Sequence, residues 1–401
     1  MAKKVTIKQI AEISSGSTAP KEEFFSDTGL PFIRAGHLEK LIENRNIIET
    51  LPKVSRENAE KLKLKKVERG TILFAKSGMS ATKNRVYKCT GDAYIVNHLA
   101  GVTPDQTVIE SGYLQYFFEW FSPSKLIIDE SYPSIRISDI GNIELTLPNK
   151  EYQKKIVNIL DHSRDLINKR KAQIEALDQL TQSVFLEMFG DPKANPKNFP
   201  VGTIKDLSIK TQYGTSKKAD EKKGRYPILR MNNITYNGGW DLSSLKYIDL
   251  DEKEKEKYLV NKGELLFNRT NSKELVGKTA VFRKDEPMAY AGYLVKLTCN
   301  ERANGEFISA YLNSKYGKAI LLSMAKNIVG MANINAKELQ NITIYIPPKD
   351  LQDKFADINL KILENREVLI KGLDRLEENY LSLIQRAFKG KLFTEEKLPT
   401  A

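Results

Sequence analysis

Two stretches far apart in this 401-residue chain read nearly alike. "NIELTLPNKEYQKKI" occupies 142–156 and "NITIYIPPKDLQDKF" occupies 341–355. Each runs from Asn-Ile through an alternating apolar strand to a proline, a lysine, an acid and a glutamine that opens a helical pattern. Other stretches correspond in the same order. "TIKQIAEISSG" (6–16) matches "TIKDLSIKTQYG" (203–214), and "LPFIRAGHL" (30–38) matches "YPILRMNNI" (226–234), with Pro31 over Pro227 and Arg34 over Arg230. "VERGTILFAKSG" (67–78) matches "VNKGELLFNRTN" (260–271), with Gly70 over Gly263, Phe74 over Phe267 and Lys76 over Arg269. The offset stays near roughly 195–200 residues, so the chain is a duplication of one large unit rather than a solenoid of short ones. Its length also exceeds one core of roughly 100–200 residues.

Each half divides again. Residues 1–149 and 201–348 mix short alternating runs with loops and a few helices; "SGYLQYFFEWF" (111–121) and "EFISAYLNSKYGKAILLSMA" (306–325) both read as helices. Residues 150–189 and 349–389 are helical throughout, each preceded by proline. "FGDPKANPKNFP" stops the first long helix and supplies a linker at 190–200, and 390–401 reads as a frayed tail. In the second long helix Phe355, Ile362, Leu369, Leu376 and Leu383 recur every seventh residue. The first carries Leu160, Ile167, Ile174 and Met188 on one line and Ile156, Leu177 and Val184 on another. So long a heptad seam predicts a coiled coil. At about 1.5 Å per residue, a helix of about 38 residues spans about 57 Å, more than a small domain needs. Leu160 and Ile167 fall over Asn359 and Arg366, while Ser163 and Arg170 fall over Ile362 and Leu369. Each helix is polar where its copy is apolar, which favours pairing of the two unlike helices. Paired antiparallel, they predict two globular domains held apart with approximate two-fold symmetry, a geometry suited to separated half-sites on duplex DNA.

The remaining signals exclude more than they assert. The net charge of +12 permits a polyanion partner. No apolar run reaches the roughly 20 residues needed to span a bilayer, and "MAKKVTIKQIAEI" lacks the apolar core of a signal peptide, so no membrane partner and a cytoplasmic location are expected. Cys89 and Cys299 form no CxxC, and His37, His98 and His162 form no metal-binding spacing, so neither a metal nor a cofactor is expected.

A module ending in "LPNKEYQKKIVNILD" or "IPPKDLQDKFADINL", followed by a long helix ending in "FLEMFGD" or "LIQRAFKGKLF", all of it twice, resembles the specificity (S) subunit of type I restriction–modification enzymes. The Glu-Gln dipeptide common in that family is replaced by Glu151-Tyr152-Gln153 and Asp350-Leu351-Gln352, and Thr71 and Glu264 stand where the family's strand often has Asp. The resemblance implies an α+β chain: two similar target recognition domains (1–149 and 201–348) separated by a pair of long antiparallel coiled-coil spacer helices (150–189 and 349–389). It implies double-stranded DNA as ligand, each domain reading one half of a split asymmetric site. Two methyltransferase (modification) subunits and restriction subunits would be partners, and the chain itself would carry no catalysis. In agreement, no adenine-methyltransferase (N/D)PP(Y/F) motif, Walker loop, GxSxG or HExxH occurs.

Base edges are read by Arg, Lys, Asn, Ser and Thr on loops, whereas affinity comes largely from phosphates. Candidates in the first domain are Arg34, His37, Lys76, Ser77, Lys83, Asn84, Arg85 and Arg136; in the second, Arg230, Asn232, Asn233, Arg269, Thr270, Asn271, Ser272, Lys273, Asn333 and Asn335. The loops after Phe74 and Phe267 are the foremost of these, because they are clusters at matched places in both copies. The aromatics of "YFFEWF" are read as core rather than as a stacking platform. A standalone DNA-binding regulator or architectural protein, and a coiled-coil scaffold that binds only protein, remain alternatives from the residues alone.

Overall fold

The computed structural model describes residues 3–328 and 331–392. Most of the expected tail, from 393 on, therefore lies outside the described residues. The chain divides into two compact units: one joins the chain up to Lys169 with the chain from Leu373, the other is Arg170–Gly372.

Each unit contains the same two four-stranded sheets. In the first unit one sheet is antiparallel in the order Ala11–Ser15, Leu99–Pro104, Ile72–Ala75, Tyr87–Lys88. The other runs Lys53–Val54, Leu30–Ile33, Ala93–Ile95, Lys66–Val67, with a parallel pair at its centre. The second unit repeats both orders, with Ser208–Tyr213, Leu294–Cys299, Leu265–Asn268, Thr279–Val281 and then Lys246–Ile248, Tyr226–Leu229, Met288–Tyr290, Leu259–Val260. Ile72–Ala75 and Leu265–Asn268 are buried at every residue, on both faces, and so depart from the alternating pattern expected of a half-buried strand. Gly70 and Gly263 enter these strands at φ +92° and +87°, where a side chain would be strained.

The duplicated motif at 142–156 and 341–355 has a mechanical role. Its strand, Glu144–Leu147 or Thr343–Tyr345, pairs antiparallel with Lys3–Thr6 or Val201–Thr203. Its glutamine is buried in both copies. Gln153 accepts from Glu110 N (2.8 Å) and donates to the carbonyls of Val108 (3.2 Å) and Pro148 (2.8 Å). Gln352 accepts from Asn304 N (2.9 Å) and donates to the carbonyls of Arg302 (3.0 Å) and Pro347 (2.8 Å). One amide thus ties the helix start, the preceding strand end and a neighbouring loop together, leaving none of its own polar atoms unpaired.

The long helices are Lys150–Phe189 and Lys349–Phe388. Each unit holds the first part of one against the last part of the other, so they run antiparallel. In the first unit Ile156 and Leu160 share a core with Ile384 and Ala387. Arg164 donates to the Tyr380 hydroxyl at 2.7 Å, pairs with Glu119, and lies over the rings of Tyr116 and Tyr380. In the second unit the Phe355 ring meets Phe185 (5.7 Å) and Phe189 (5.5 Å). There the polar seam positions find partners: Asn359 bonds Thr181 at 3.2 Å, and Arg366 pairs with Asp178 at 2.7 Å. Pairing of unlike helices is therefore realised within one chain. The heptad lines do more than form a seam, because their ends enter the globular cores: Phe388 packs on Tyr113, Phe117 and Trp120. Tyr116, Phe117 and Phe118 of "YFFEWF" are themselves core, as is Tyr113 just before it.

Residues 306–325 depart from the single helix expected. They form Gly305–Asn313 and Lys315–Met324. Ser314 breaks the run: its hydroxyl accepts from Gly317 N at 3.0 Å and caps the second piece.

Candidate nucleic-acid interface

In each unit the fully buried strand leaves its sheet at Lys76 or Arg269. The backbone N–H of Lys76 donates to His98 O (2.8 Å), and that of Arg269 to Tyr293 O (3.0 Å). Each of these partners sits in the turn ahead of the neighbouring strand. A third segment closes the arrangement: Ile135 N donates to Lys76 O (2.7 Å) and Ile334 N to Arg269 O (2.9 Å). Ser77 then bridges to Ser134, and Thr270 pairs with Asn333. Three segments thus meet at equivalent places in the two units, fixed by backbone bonds that do not depend on side chains.

Each cluster carries a basic residue followed by a hydroxyl, but the side chains around them differ. In the second unit the Arg269 guanidinium lies 5.0 Å from the centre of the Tyr213 ring. Its Nη1 reaches Gly292 O at 3.5 Å and its Nη2 reaches Asn333 Oδ1 at 3.4 Å. These contacts are at the long limit for hydrogen bonds, and Nε has no partner. The Asn333 amide also donates to Thr270 Oγ1 (3.2 Å), which orients it toward the arginine. Arg269 is consequently positioned without being consumed, and its planar fork suits the paired acceptors of guanine. Thr270 is 6% exposed and serves as support. In the first unit the same place holds half-buried Lys76, exposed Arg136, and Ser77 bonded to His98 Nδ1 at 2.7 Å.

Other candidates are used by the fold. Asn233 is 3% exposed; its Oδ1 accepts from Arg230 N (2.9 Å) and its Nδ2 donates to Asp241 O (2.8 Å). His37 takes the same place in the first unit, accepting from Arg34 N at 3.2 Å. Burial, with Arg34 and Lys40 nearby, holds its pKa below the ordinary 6.5. Asn335 caps the helix Ala336–Gln340, accepting from Lys337 N and Glu338 N. Asn84, at φ +47°, accepts from Ser124 N, and Asn271 from Ser272 N. Arg85 pairs with Glu39, and Arg230 donates to Ser244 O at 2.9 Å. Arg34 lies over Phe25 at 5.7 Å with its side chain otherwise exposed; Lys83, Asn232 and Lys273 are exposed.

Three site residues escape reading by residue type: His98, Tyr293 and Tyr213. His98 in "VNHLAG" and Tyr293 in "AGYLVK" stand at one place in the duplication, and that equivalence is the signal that could have found them.

Among the described residues no cluster of His, Cys, Asp or Glu could hold a metal, and no helix is long and apolar enough to cross a membrane. Burial pushes the Cys89 and Cys299 thiols up to about 12, so both behave as small apolar side chains.

The type I restriction modification DNA specificity domain matches this chain twice, over residues 2–176 and 196–378. The chain belongs to the specificity subunits of type I restriction–modification enzymes, the DNA-recognition subunits, which are not themselves catalytic. It is 22% identical to the EcoKI specificity subunit of Escherichia coli (strain K12) over 414 residues, covering 96% of this chain and 88% of that protein. The MjaIX specificity subunit of Methanocaldococcus jannaschii is 23% identical over 425 residues, covering 97% and 93%. The crystal structure of the S subunit from M. genitalium has the same fold, with a TM-score of 0.57 at 15% identity over 97% of this chain and 96% of that one.

Proposed function

We propose that this chain reads a bipartite, asymmetric site on double-stranded DNA, one half with each target recognition domain, and docks two methyltransferase subunits and, with them, restriction subunits in the cytoplasm. The observation that carries the reading is the duplicated three-segment cluster. One backbone framework presents Lys76, Ser77, His98 and Arg136 in one copy and Arg269, Tyr293 and Asn333 in the other. Identical frameworks with unlike side chains are what two unlike half-sites require. The paired helices, each 40 residues long, supply the spacer. No observation favours a standalone regulator, an architectural protein or a protein-only scaffold.

The test is co-expression with the methyltransferase subunit, followed by native mass spectrometry and duplex binding at fixed salt. A complex with two methyltransferase subunits per chain that selects a specific duplex is expected. A stable complex indifferent to DNA sequence would overturn the proposal.

A further inference from the structure

The second unit has a cleft of about 350 Å³ whose lining includes Tyr236, Lys273, Glu274, Lys278, Lys315 and Lys318. Four lysines against one carboxylate leave its lining at a net +3. The carboxylate is already engaged: Glu274 is held by its own backbone N–H and by Ser272. Among the described residues none of the four lysines forms an ion pair. Lys278 is 9% exposed, and its ammonium donates to a neutral group, Met231 O, at 2.9 Å. Lys318 donates to Tyr236 O at 2.8 Å and lies over the Tyr236 ring, 3.2 Å from its centre.

An ammonium withdrawn from water without a counter-ion is costly, and folds normally supply a carboxylate. The cost is visible here, because burial alone pulls Lys318 down to about 8 and Lys278 below its ordinary value. The corresponding cation of the first unit is treated differently: Arg85, which precedes Val86 and the edge strand as Lys278 precedes Thr279, has Glu39 as partner. The second unit thus lines one cleft with four cations that have no carboxylate partner among the described residues, Lys278 and Lys318 partly desolvated and Lys273 and Lys315 exposed at its rim. The 10-residue helix Lys315–Met324 starts at the cleft, adding its positive end to the same field.

We propose that this cleft binds a phosphate group. The chemistry is that of a compact, doubly or singly charged oxyanion met by several ammonium donors. Two sources offer it: a phosphodiester of the duplex that the second domain reads, and a free polyphosphate. The duplex source rests on the DNA-reading function proposed above, and Lys273 links the two places, because it lies on the loop that follows Arg269. With the duplex as source, the second half-site carries a backbone clamp that the first lacks.

The test compares the full chain, in complex with its methyltransferase subunit, with the K315Q/K318Q and K315R/K318R variants. Two readouts are taken: the slope of log K against log salt for the cognate duplex, and binding of inorganic triphosphate by calorimetry. A slope shallower by about 2 in K315Q/K318Q, with the preferred sequence unchanged and the arginine variant like wild type, assigns the cleft to DNA phosphate. An unchanged slope with triphosphate binding lost in K315Q/K318Q assigns it to free polyphosphate. If K315Q/K318Q keeps the wild-type slope and triphosphate binds neither protein or both alike, the cleft is no phosphate site. Should the wild-type complex bind no duplex selectively, the DNA-reading function falls, and the triphosphate titration still decides the cleft.

Discussion

At the scale of residues, two side chains show how the duplication works. Gln153 and Gln352 make the same three bonds in the two copies, all from a buried side chain to backbone groups. Replacing either with alanine leaves one N–H and two carbonyls without partners, at a cost of about 1–3 kcal/mol or more. Gln352→Ala should lower protection in hydrogen exchange at the Asn304 N–H first; unaltered exchange there would show the clamp to be dispensable. His37 offers a pH-dependent counterpart. Its folded pKa lies below the ordinary 6.5, so the unfolded chain binds the proton more readily. The stability it contributes is full above 6.5 and is lost as pH falls through the depressed value. His37→Asn copies Asn233 at the equivalent place. It should keep the cap and shrink the stability difference measured by denaturation at pH 7.5 and 5.5. These positions also explain why the candidate site was only partly legible. Asparagine both caps backbones and reads adenine, and Asn84, Asn233 and Asn335 each accept from a backbone N–H in this fold, a use that residue type alone does not distinguish from base reading. Arg269 stands out as a candidate because a basic residue, Lys76, occupies the matched place in the other copy.

At the scale of elements, the seven-residue repeat was readable because it is long and local. Phe355, Ile362, Leu369, Leu376 and Leu383 are all buried or half-buried. What the repeat could not disclose is where its ends go. The last turn of the second helix joins the core of the first unit through Ile384, Ala387 and Phe388, a contact more than 200 residues away in sequence from its partners Tyr113 and Phe117. The break at Ser314 was missed for the opposite reason, since one serine within an otherwise apolar-periodic run is a weak signal. The helix ends give a selective test. Phe355→Ala should destabilise the second unit and Phe388→Ala the first, each by about 3–5 kcal/mol for a large core side chain removed. Site-resolved hydrogen exchange would detect this; equal loosening of both units by either change would contradict the assignment of each helix end to one core.

At the scale of the whole molecule, the order of matched stretches in the sequence discloses two copies, because a register of loops and strands survives divergence better than residue identity does. The composition of each candidate cluster was not legible, since side chains such as His98, Tyr213 and Tyr293 join it only once the segments are assembled. If the copies act as separate readers of unlike half-sites, a change in one cluster must alter one half of the recognised sequence alone. Arg269→Ala removes the best-positioned fork, and a bidentate arginine is worth about 1–3 kcal/mol of discrimination against a wrong base. The direct measurement is genome-wide mapping of methylated adenines in cells carrying the methyltransferase subunit with either the wild-type or the Arg269→Ala chain. The account predicts a split, asymmetric motif for the wild type, and for the variant the same motif loosened at one guanine-containing position of one half, with the other half unchanged. A continuous or palindromic motif, or loosening of both halves together, would contradict it.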